Sequence, residues 1–564
     1  MTSSQQAVAL LEEIHDLMQL AGENPFKVRA FEKAQAAVAE QEDLADRAKA
    51  GTLTELPGIG KGISEVLTEF LLHGTSRVRD ELKASLPPGL LELTQIPGLG
   101  PKKAQQIIAE LGIETVRELE YACKENRLLK LKGFGVKAQQ KILESIQFLH
   151  STEGQQRLDQ VFEYSGELLK VLEKAAHARV AVTGALRRRM EVLSAIEYLV
   201  EAPEQKALRL KQQEATEHAL EKFRKENPGA LPATLNFATS EVWGFELART
   251  TASEAHWKAL EKFGAKKWEK AKAAAGPTIG ATLDDAGGDE AFYEALGLSA
   301  IAPEMRETGE EIALAQKGSL SDVLAWNGVQ GVFHNHTNRS DGSATLDEMV
   351  VAAKKLGFKY IGISDHSQTA FYAQGLKEDT LKEQEREIRE VQEKHPEIRV
   401  FWGIESDILQ DGSLDYPEKV LKRFDFVVAS IHQRFKLDRE SMTDRIVAAI
   451  RNPHTRFIGH LTGRLLLGRK GYEIDVEKII QEAARHDVAI EINAHPLRLD
   501  IDWRWGPALR AHNALVSVNP DAHEVAGLKD VVYGIGVARK ALLPTSLVVN
   551  SRSTAEVEKW LKRR

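Results

Sequence analysis

Residues 331–342 read GVFHNHTNRSDG, a short apolar run that ends in His334, His336 and Asp341 within eight residues. On an extended strand, side chains two apart point to the same side, so His334 and His336 can reach one metal ion together, with Asp341 on the loop that follows. Alone, the pair reads as a one-metal clip. Its weight comes from what the next 200 residues repeat.

Six further runs have the same character: YIGISDH (360–366), VFWGIESDI (400–408), FDFVVASIH (424–432), FIGHL (457–461), AIEINA (489–494) and ALVSVNPDAH (514–523). Amphipathic stretches such as LDEMVVAAKKLG (346–357) and VEKIIQEAARH (476–486) separate them. Short, nearly all-apolar strands alternating with helices predict a parallel sheet covered on both faces, as in a barrel. Polar residues gather where these strands end. His366, Glu405, His432 and His460 close the second to fifth, and Asp521 and His523 follow the seventh. In a barrel all C-terminal strand ends share one rim, where active sites are built. A single histidine there is most simply a hydrogen-bonded core-edge residue; nine donors at the strand ends point to metal. Imidazole and carboxylate without thiolate suit Mn, Zn or Fe, and nine ligands exceed what one ion can use, so two or three divalent ions are expected.

The order HNH (334–336), SDG (340–342), SDH (364–366), SIH (430–432) and DAH (521–523) resembles the polymerase and histidinol phosphatase (PHP) superfamily. That resemblance implies a distorted (β/α)7 barrel and a metal-dependent phosphoesterase with a trinuclear site, manganese first among the candidate metals. It also implies that all nine ligand positions are filled: His334, His336, Asp341, His366, Glu405, His432, His460, Asp521 and His523. The segments 463–475 and 491–500 fit the same branch. Arg464 and Arg498 within them read either as bidentate phosphate donors or as salt-bridge partners of the barrel.

Composition bounds the rest. A chain of 564 residues exceeds what one core supports and predicts three or four domains. One cysteine, Cys123, excludes an internal disulfide framework and a thiolate-rich metal site. No basic leader or long apolar run stands out, so a cytoplasmic protein without membrane contact is expected, nucleoid-associated when it acts on DNA. A net charge of −8 argues against a generally basic nucleic-acid surface, and residues 1–150 carry 18 Lys and Arg against 21 Asp and Glu. Any grip on phosphates there must use backbone groups as much as side chains.

The first third supplies such groups. LTELPGIGKGI (53–63), LTQIPGLGPKKA (93–104) and LLKLKGFGVKA (128–138) each place Gly-x-Gly before a helix that opens with lysine nearby. One copy is a helix–helix turn; three copies at intervals of 40 and 35 residues predict phosphate clamps, since a helix N-terminus offers free N–H groups. The candidate DNA contacts are Gly58, Gly60, Lys61, Gly98, Gly100, Lys102, Gly133, Gly135 and Lys137. These segments resemble helix-hairpin-helix motifs, and ENPFKVRAFEKA (23–34) resembles the opening of family X DNA polymerases. Where eukaryotic relatives can carry a lyase lysine, this chain has Val66, so lyase activity is not carried over.

That resemblance implies an α+β nucleotidyltransferase-like palm next. Residues 178–200 fit its place, with Gly184, Arg187 and Arg188 matching Gly-Ser-x-Arg-Arg. The serine is Ala185, the two metal-binding aspartates fall on Ala195 and Glu197, the third on Thr234, and the sugar-binding turn on Thr251, Ala252 and Ser253. One glutamate cannot hold two cations, so a degenerate palm is expected, kept as a scaffold or DNA-binding surface. Arg187, Arg188 and Arg189 read either as phosphate ligands or as a solvated face. The Ala- and Lys-rich stretch 254–275, GGDEAFYEALGL (287–298) and APEMRE (302–307) resemble the thumb, with 308–329 a linker.

The expected order is therefore a helix-hairpin-helix domain (1–85), fingers-like hairpins (86–150), a degenerate palm (151–252), a thumb with linker (253–315) and the PHP domain (316–564). As a whole the chain resembles bacterial family X DNA polymerases. The expected function is a DNA-repair phosphodiesterase, a 3′-5′ exonuclease acting on gapped, nicked or 3′-blocked ends, with abasic-site cleavage as an extension. Protein partners stay open, and a monomer is compatible with this reading. The alternatives are a still-active gap-filling polymerase, a non-catalytic DNA-binding scaffold and a small-molecule phosphatase.

Overall fold

The computed structural model describes residues 3–562 apart from 40, 42, 88, 95, 97, 125–126 and 275–287, so Gln95 and Pro97 of the second hairpin and Ala275 and Gly287 of the thumb-like stretch lie outside the described residues. Two compact units are present, Met1–Glu153 and Gly154–Arg564.

The first unit is helical. Its opening helix, Ser3–Leu20, buries Ala7, Leu10, Leu11, Ile14, Leu17 and Met18, the spacing of one apolar stripe. That stripe packs on the helix Pro25–Ala39 and on Lys61–His73 to form one core around the first hairpin. A second core, made of Leu17 from the opening helix and residues from Leu86 to Ile146, surrounds the other two hairpins and contains Cys123. Burial, then Glu120, pushes the Cys123 thiol up to about 11.

In the second unit, a three-stranded sheet joins Val180–Thr183, Ile196–Glu201 and Ala233–Ala238, the first pair antiparallel and the second parallel. The helix Leu158–Ala176 covers it. Beyond it, Phe245, Trp257, Trp268 and Phe292 form a ring cluster with centroids 5.3 to 6.1 Å apart. The stretch read as a linker is not one along its length. Glu310–Lys317 is helical and buries Ile312 and Ala315, three residues apart and so on one helical face, in that aromatic core.

The remaining residues form the barrel. Its seven parallel strands are Gly331–Val332, Tyr360–Ile363, Arg399–Asp407, Phe426–Ser430, Thr455–Ile458, Ala489–Asn493 and Val516–Asn519, each beside its neighbour in sequence. Nearly every strand residue is buried, as continuous apolar runs require when both faces are covered. First and last strands approach each other across a seam, where the His336 N–H donates to the Ala522 carbonyl at 2.8 Å and the Phe333 N–H to Asn519 Oδ1 at 3.0 Å. The barrel is thus nearly closed.

Its interior has a floor of rings. Phe333, Tyr360, Phe401, Phe426 and Phe457 meet there, and Trp560 of the helix Thr554–Leu561 closes them from below. Gly362 and Gly403 leave room for this, since a Cβ on either would lie 2.7 or 2.3 Å from the Phe426 ring. Polar chemistry is thereby confined to the opposite, C-terminal end of the strands.

The barrel and the three-stranded sheet share a buried polar contact. Lys540 Nζ donates to the Arg188 carbonyl at 2.6 Å and pairs with Glu307 at 2.9 Å, and Arg539 pairs with Glu304 at 2.6 Å. Glu191 accepts from Arg504 at 2.7 Å and Trp503 at 3.2 Å.

Candidate metal centre

The strand ends bring all nine sequence-predicted donors into one mouth. His336, Asp341, His366 and His523 offer ligand atoms within 4.8 Å of one another; so do His334, His336 and Asp521, and so do His366, Glu405 and His432. His460 joins the last group, with Nε2 3.1 Å from Glu405 Oε1. Because His336 and His366 each belong to two groups, the three clusters adjoin. Asp521 adopts a left-handed backbone (φ 53°), a conformation that costs an aspartate on the order of 1 kcal/mol and is held here by its surroundings.

A second layer of carboxylates and amides aims these donors. His334 Nδ1 donates to Glu491 at 2.7 Å, which turns Nε2 toward Glu405 (3.2 Å) and Asp521 (3.4 Å). His432 Nδ1 donates to Asp407 at 2.5 Å, leaving Nε2 3.2 Å from Glu405. His523 Nδ1 bonds the Asp521 carbonyl at 2.9 Å, and Asn493 Nδ2 donates to Asp521 Oδ2 at 3.0 Å. Such partners fix the tautomer and direction of a ligand. Asp365 is likewise buried, accepting from Thr337, Ser340 and Gln384 and pinning the loop that carries Asp341. Sequence reasoning missed Glu491, Asp407 and Asp365.

Electrostatics ties the cluster together. Burial alone would raise Glu405, but His432, His334 and His366 outweigh it and hold the carboxyl well below its usual range. Asp521 behaves alike, burial being overcome by His334, His336 and His523. Against the pull of burial, Glu405 and Asp341 lift His366 to about 10, and Asp341 and Asp521 lift His523 to about 8. His336 goes the other way, to about 3, through burial and then repulsion by His523 and His366. The buried carboxylates Glu405 and Asp521, with the more exposed Asp341 beside them, thus demand positive charge, which divalent cations can supply. Among the described residues, buried His336 Nδ1 and His460 Nδ1 make no hydrogen bond. Six imidazoles and three carboxylates with lone pairs turned inward fit a multinuclear site.

Of the two arginines, Arg464 is committed elsewhere: Nε donates to the Arg498 carbonyl at 2.9 Å, and the Nη groups to Asp502 and the Leu499 carbonyl. It is a structural brace, because every face of its guanidinium has an internal acceptor. Arg498 keeps a looser position, Nε 3.6 Å from Asp521 Oδ2 at the mouth.

Comparison with known proteins bears on this geometry. Residues 333–495 match the PHP domain family, 3–76 a helix-hairpin-helix domain and 90–147 a SAM-like helix-hairpin-helix tandem. Over 568 residues, covering 99% of both chains, the protein is 32% identical to the DNA polymerase/3′-5′ exonuclease PolX of Bacillus subtilis. The chain belongs to the PolX family. Within the barrel, 175 residues (28% of this chain, 64% of the relative) are 37% identical to a probable phosphatase of Caldicellulosiruptor saccharolyticus. Among solved structures, the histidinol phosphate phosphatase of Lactococcus lactis, in complex with zinc, L-histidinol and phosphate, is 18% identical with a TM-score of 0.31, over 37% of this chain and 93% of that one. The PHP domain of this PolX family member is a metal-dependent phosphoesterase domain.

The PolX palm position is built differently from the rim. Glu197 pairs in register with Thr234, and Ala195 lies two residues away, so one carboxylate occupies the spot. Its oxygen lies over Gly184, where a Cβ would approach to 2.2 Å, and burial, opposed by Arg188, raises its pKa. The arginines expected either to bind phosphate or to face solvent are engaged by internal partners. Arg187 is buried against Asp289 (3.3 Å) and Thr251 (2.8 Å), Arg188 bonds Glu307 (2.9 Å) and the Thr251 carbonyl (2.7 Å), and Arg189 lies over Phe162 and Trp326. Arg306 closes the cluster on Asp289 at 2.6 Å.

The hairpins repeat one geometry three times. Gly58, Gly98 and Gly133 take φ of 88°, 83° and 88°, and Gly60, Gly100 and Gly135 cap the helices starting at Lys61, Pro101 and Val136. A Cβ on any of the capping glycines would meet nothing within 4 Å. All three capping glycines are exposed, so each helix N-terminus can be approached closely.

Proposed function

We propose that this PolX family member is a metal-dependent DNA phosphodiesterase of repair, a 3′-5′ exonuclease that also clears blocked 3′ ends, and that it acts in the cytoplasm on gapped or nicked DNA. The observation that carries this reading is the convergence of His334, His336, Asp341, His366, Glu405, His432, His460, Asp521 and His523 on one buried mouth. These nine residues would hold two or three divalent ions, manganese first, with zinc or iron as alternatives. Bound there, the ions would supply Lewis acidity and a nucleophile at neutral pH. The chain's own part is to orient them through Glu491, Asp407 and Asn493 and to place a substrate phosphate through Arg498. Gly58, Gly60, Lys61, Gly98, Gly100, Lys102, Gly133, Gly135 and Lys137 would grip the DNA backbone without reading sequence. Cleavage at abasic sites is an extension of the same chemistry.

The palm is read as a scaffold with no nucleotide transfer. Ala195 and Thr234 offer no carboxylate, and Arg187, one of the candidate phosphate ligands, is paired with Asp289, which also holds Arg306. The domain limits that go with this reading are 1–85, 86–150, 151–252, 253–315 and 316–564. Primer extension and degradation of 3′-labelled DNA, run side by side in Mn²⁺, test the whole assignment. Degradation without extension, abolished by EDTA and by His336→Ala, is the expected result. Extension without degradation would overturn it, and hydrolysis of small phosphomonoesters alone would favour the phosphatase reading suggested by the barrel's relatives.

A further inference from the structure

One exposed ring stands beside the mouth. Phe371 is 81% exposed although its neighbours Ala370 and Ala373 are fully buried. It lies five residues after His366, on a loop held at several points. Ser367 donates to the Glu405 carbonyl (3.0 Å) and Leu376 to the His366 carbonyl (2.8 Å), closing the loop at its base. Inside it, Thr369 Oγ1 donates to Asp407 Oδ2 (2.9 Å), the carboxylate that aims His432, and the Thr369 N–H to Asp415 (2.7 Å). Gln433, next to His432, donates to the Thr369 carbonyl at 3.0 Å. Gly375 lets the chain turn back, since a Cβ there would lie 1.8 Å from the Ser367 carbonyl oxygen. The loop therefore has a fixed shape tied to two candidate ligands, and that shape turns a large apolar ring into water, where it forgoes burial.

We infer that Phe371 is a stacking platform for the terminal base of the DNA strand whose phosphate enters the metal cluster. This deepens the nuclease reading above and rests on it. Phe371 is two residues from Thr369, whose hydroxyl is one hydrogen bond from Asp407, the partner of His432, so the loop that carries the ring is anchored on the rim of the cluster. Every base has a π-face, so a phenyl ring accepts any of the four, as an enzyme removing nucleotides in succession requires. Arg434 and Lys436 are exposed on the loop after His432 and offer positive charge to the strand's remaining phosphates. The ring also selects substrate class, because it rewards a base that has left its duplex partner and gives nothing to a small phosphomonoester.

A substrate–protein double cycle on the full-length chain in Mn²⁺ tests this. Wild type, Phe371→Ala and Phe371→Trp are compared on a single-stranded oligonucleotide with an ordinary 3′-terminal nucleotide and on the same strand ending in an abasic sugar. The alanine variant is expected to lower kcat/KM on the ordinary strand roughly 5- to 100-fold, mainly through KM, and to cause no further loss on the abasic strand. Tryptophan is expected to restore the rate, and metal content and melting temperature to match wild type. Equal losses on both strands, or none on the ordinary one, would overturn the inference. A strand ending in 2-aminopurine, bound in Ca²⁺, separates the two readings, since quenching in wild type that disappears in Phe371→Ala reports stacking whether or not cutting occurs. Failure of wild type to degrade any DNA would refute the nuclease assignment instead, and unchanged quenching in the alanine variant would refute the platform.

Discussion

Glu491→Gln isolates the second layer of the metal centre. Oε1 of Glu491 accepts from His334 Nδ1 (2.7 Å) and Asn519 Nδ2 (3.1 Å), and Oε2 from the His460 N–H (2.7 Å) and Asn493 Nδ2 (3.1 Å). A glutamine must turn its NH₂ toward one of these pairs, setting donor against donor. Neither asparagine can flip to relieve it, because Asn519 Oδ1 already accepts from the Phe333 N–H and Asn493 Nδ2 is also held by Asp521. Either His334 loses the acceptor that fixes its tautomer, or the His460 backbone shifts. The lost charge-assisted bond and the donor clash are each worth about 1–3 kcal/mol, and second-layer changes of this kind cost about 10- to 100-fold in metal affinity. Equilibrium dialysis against buffered Mn²⁺, with bound metal counted by mass spectrometry, should show one class of site weakened by that factor while the others hold. Wild-type stoichiometry and affinity in Glu491→Gln would refute the claim that this carboxylate aims His334.

Three further outcomes follow from groups away from the rim. Asp530 is pushed up to about 7 by burial and then by Asp159 and Glu524. An acid raised above its unfolded value of about 3.9 binds more protons when folded, so its stability contribution is intact below pH ~4 and is lost as pH rises toward 7. Asp530→Asn should therefore melt higher than wild type at pH 8, by about 1 kcal/mol after screening at this partly exposed site, and the difference should vanish near pH 4; a pH-independent difference would count against it. Lys540, buried between Glu307 and the Arg188 carbonyl, should cost about 3–5 kcal/mol when replaced by methionine, read as an earlier urea transition of the Gly154–Arg564 unit. With its thiol near 11, Cys123 should react with a disulfide reagent at pH 8 far more slowly in the native protein than in denaturant; fast native labelling would contradict its burial.

The rim was legible because catalysis forces ionisable residues to break an apolar pattern. His334, His366, His432 and His460 each interrupt or end a run of Val, Ile, Phe or Ala, and the seven runs map onto the seven strands with their ends moved by a few residues. The first of them shrinks to Gly331–Val332, since the chain beyond turns inward to deliver its histidines. Glu491 escaped notice because one carboxylate inside AIEIN passes for an ordinary polar position in a strand; only the fold sets it opposite His334, 157 residues away. Asp407 and Asp365 were hidden in the same way beside stronger candidates. For Arg464 the sequence left phosphate donor and salt-bridge partner both open, and only the fold supplies Asp502 as the partner. In the palm, the absence of carboxylates at 195 and 234 could be read directly, whereas the internal pairing of Arg187 and Arg188 depends on Asp289 and Glu307, a hundred residues or more downstream.

The seam of the barrel also sets when the centre can exist. His336 and Asp521, 185 residues apart, face each other across the join between first and last strands at 3.1 Å. A ribosome making this chain must therefore release nearly the whole barrel before the two halves of the cluster can meet. Until then an emerging segment carries isolated histidines and no assembled cage, so the phosphoesterase centre cannot form before the last strand has been made. Closure of the ring doubles as the event that arms it.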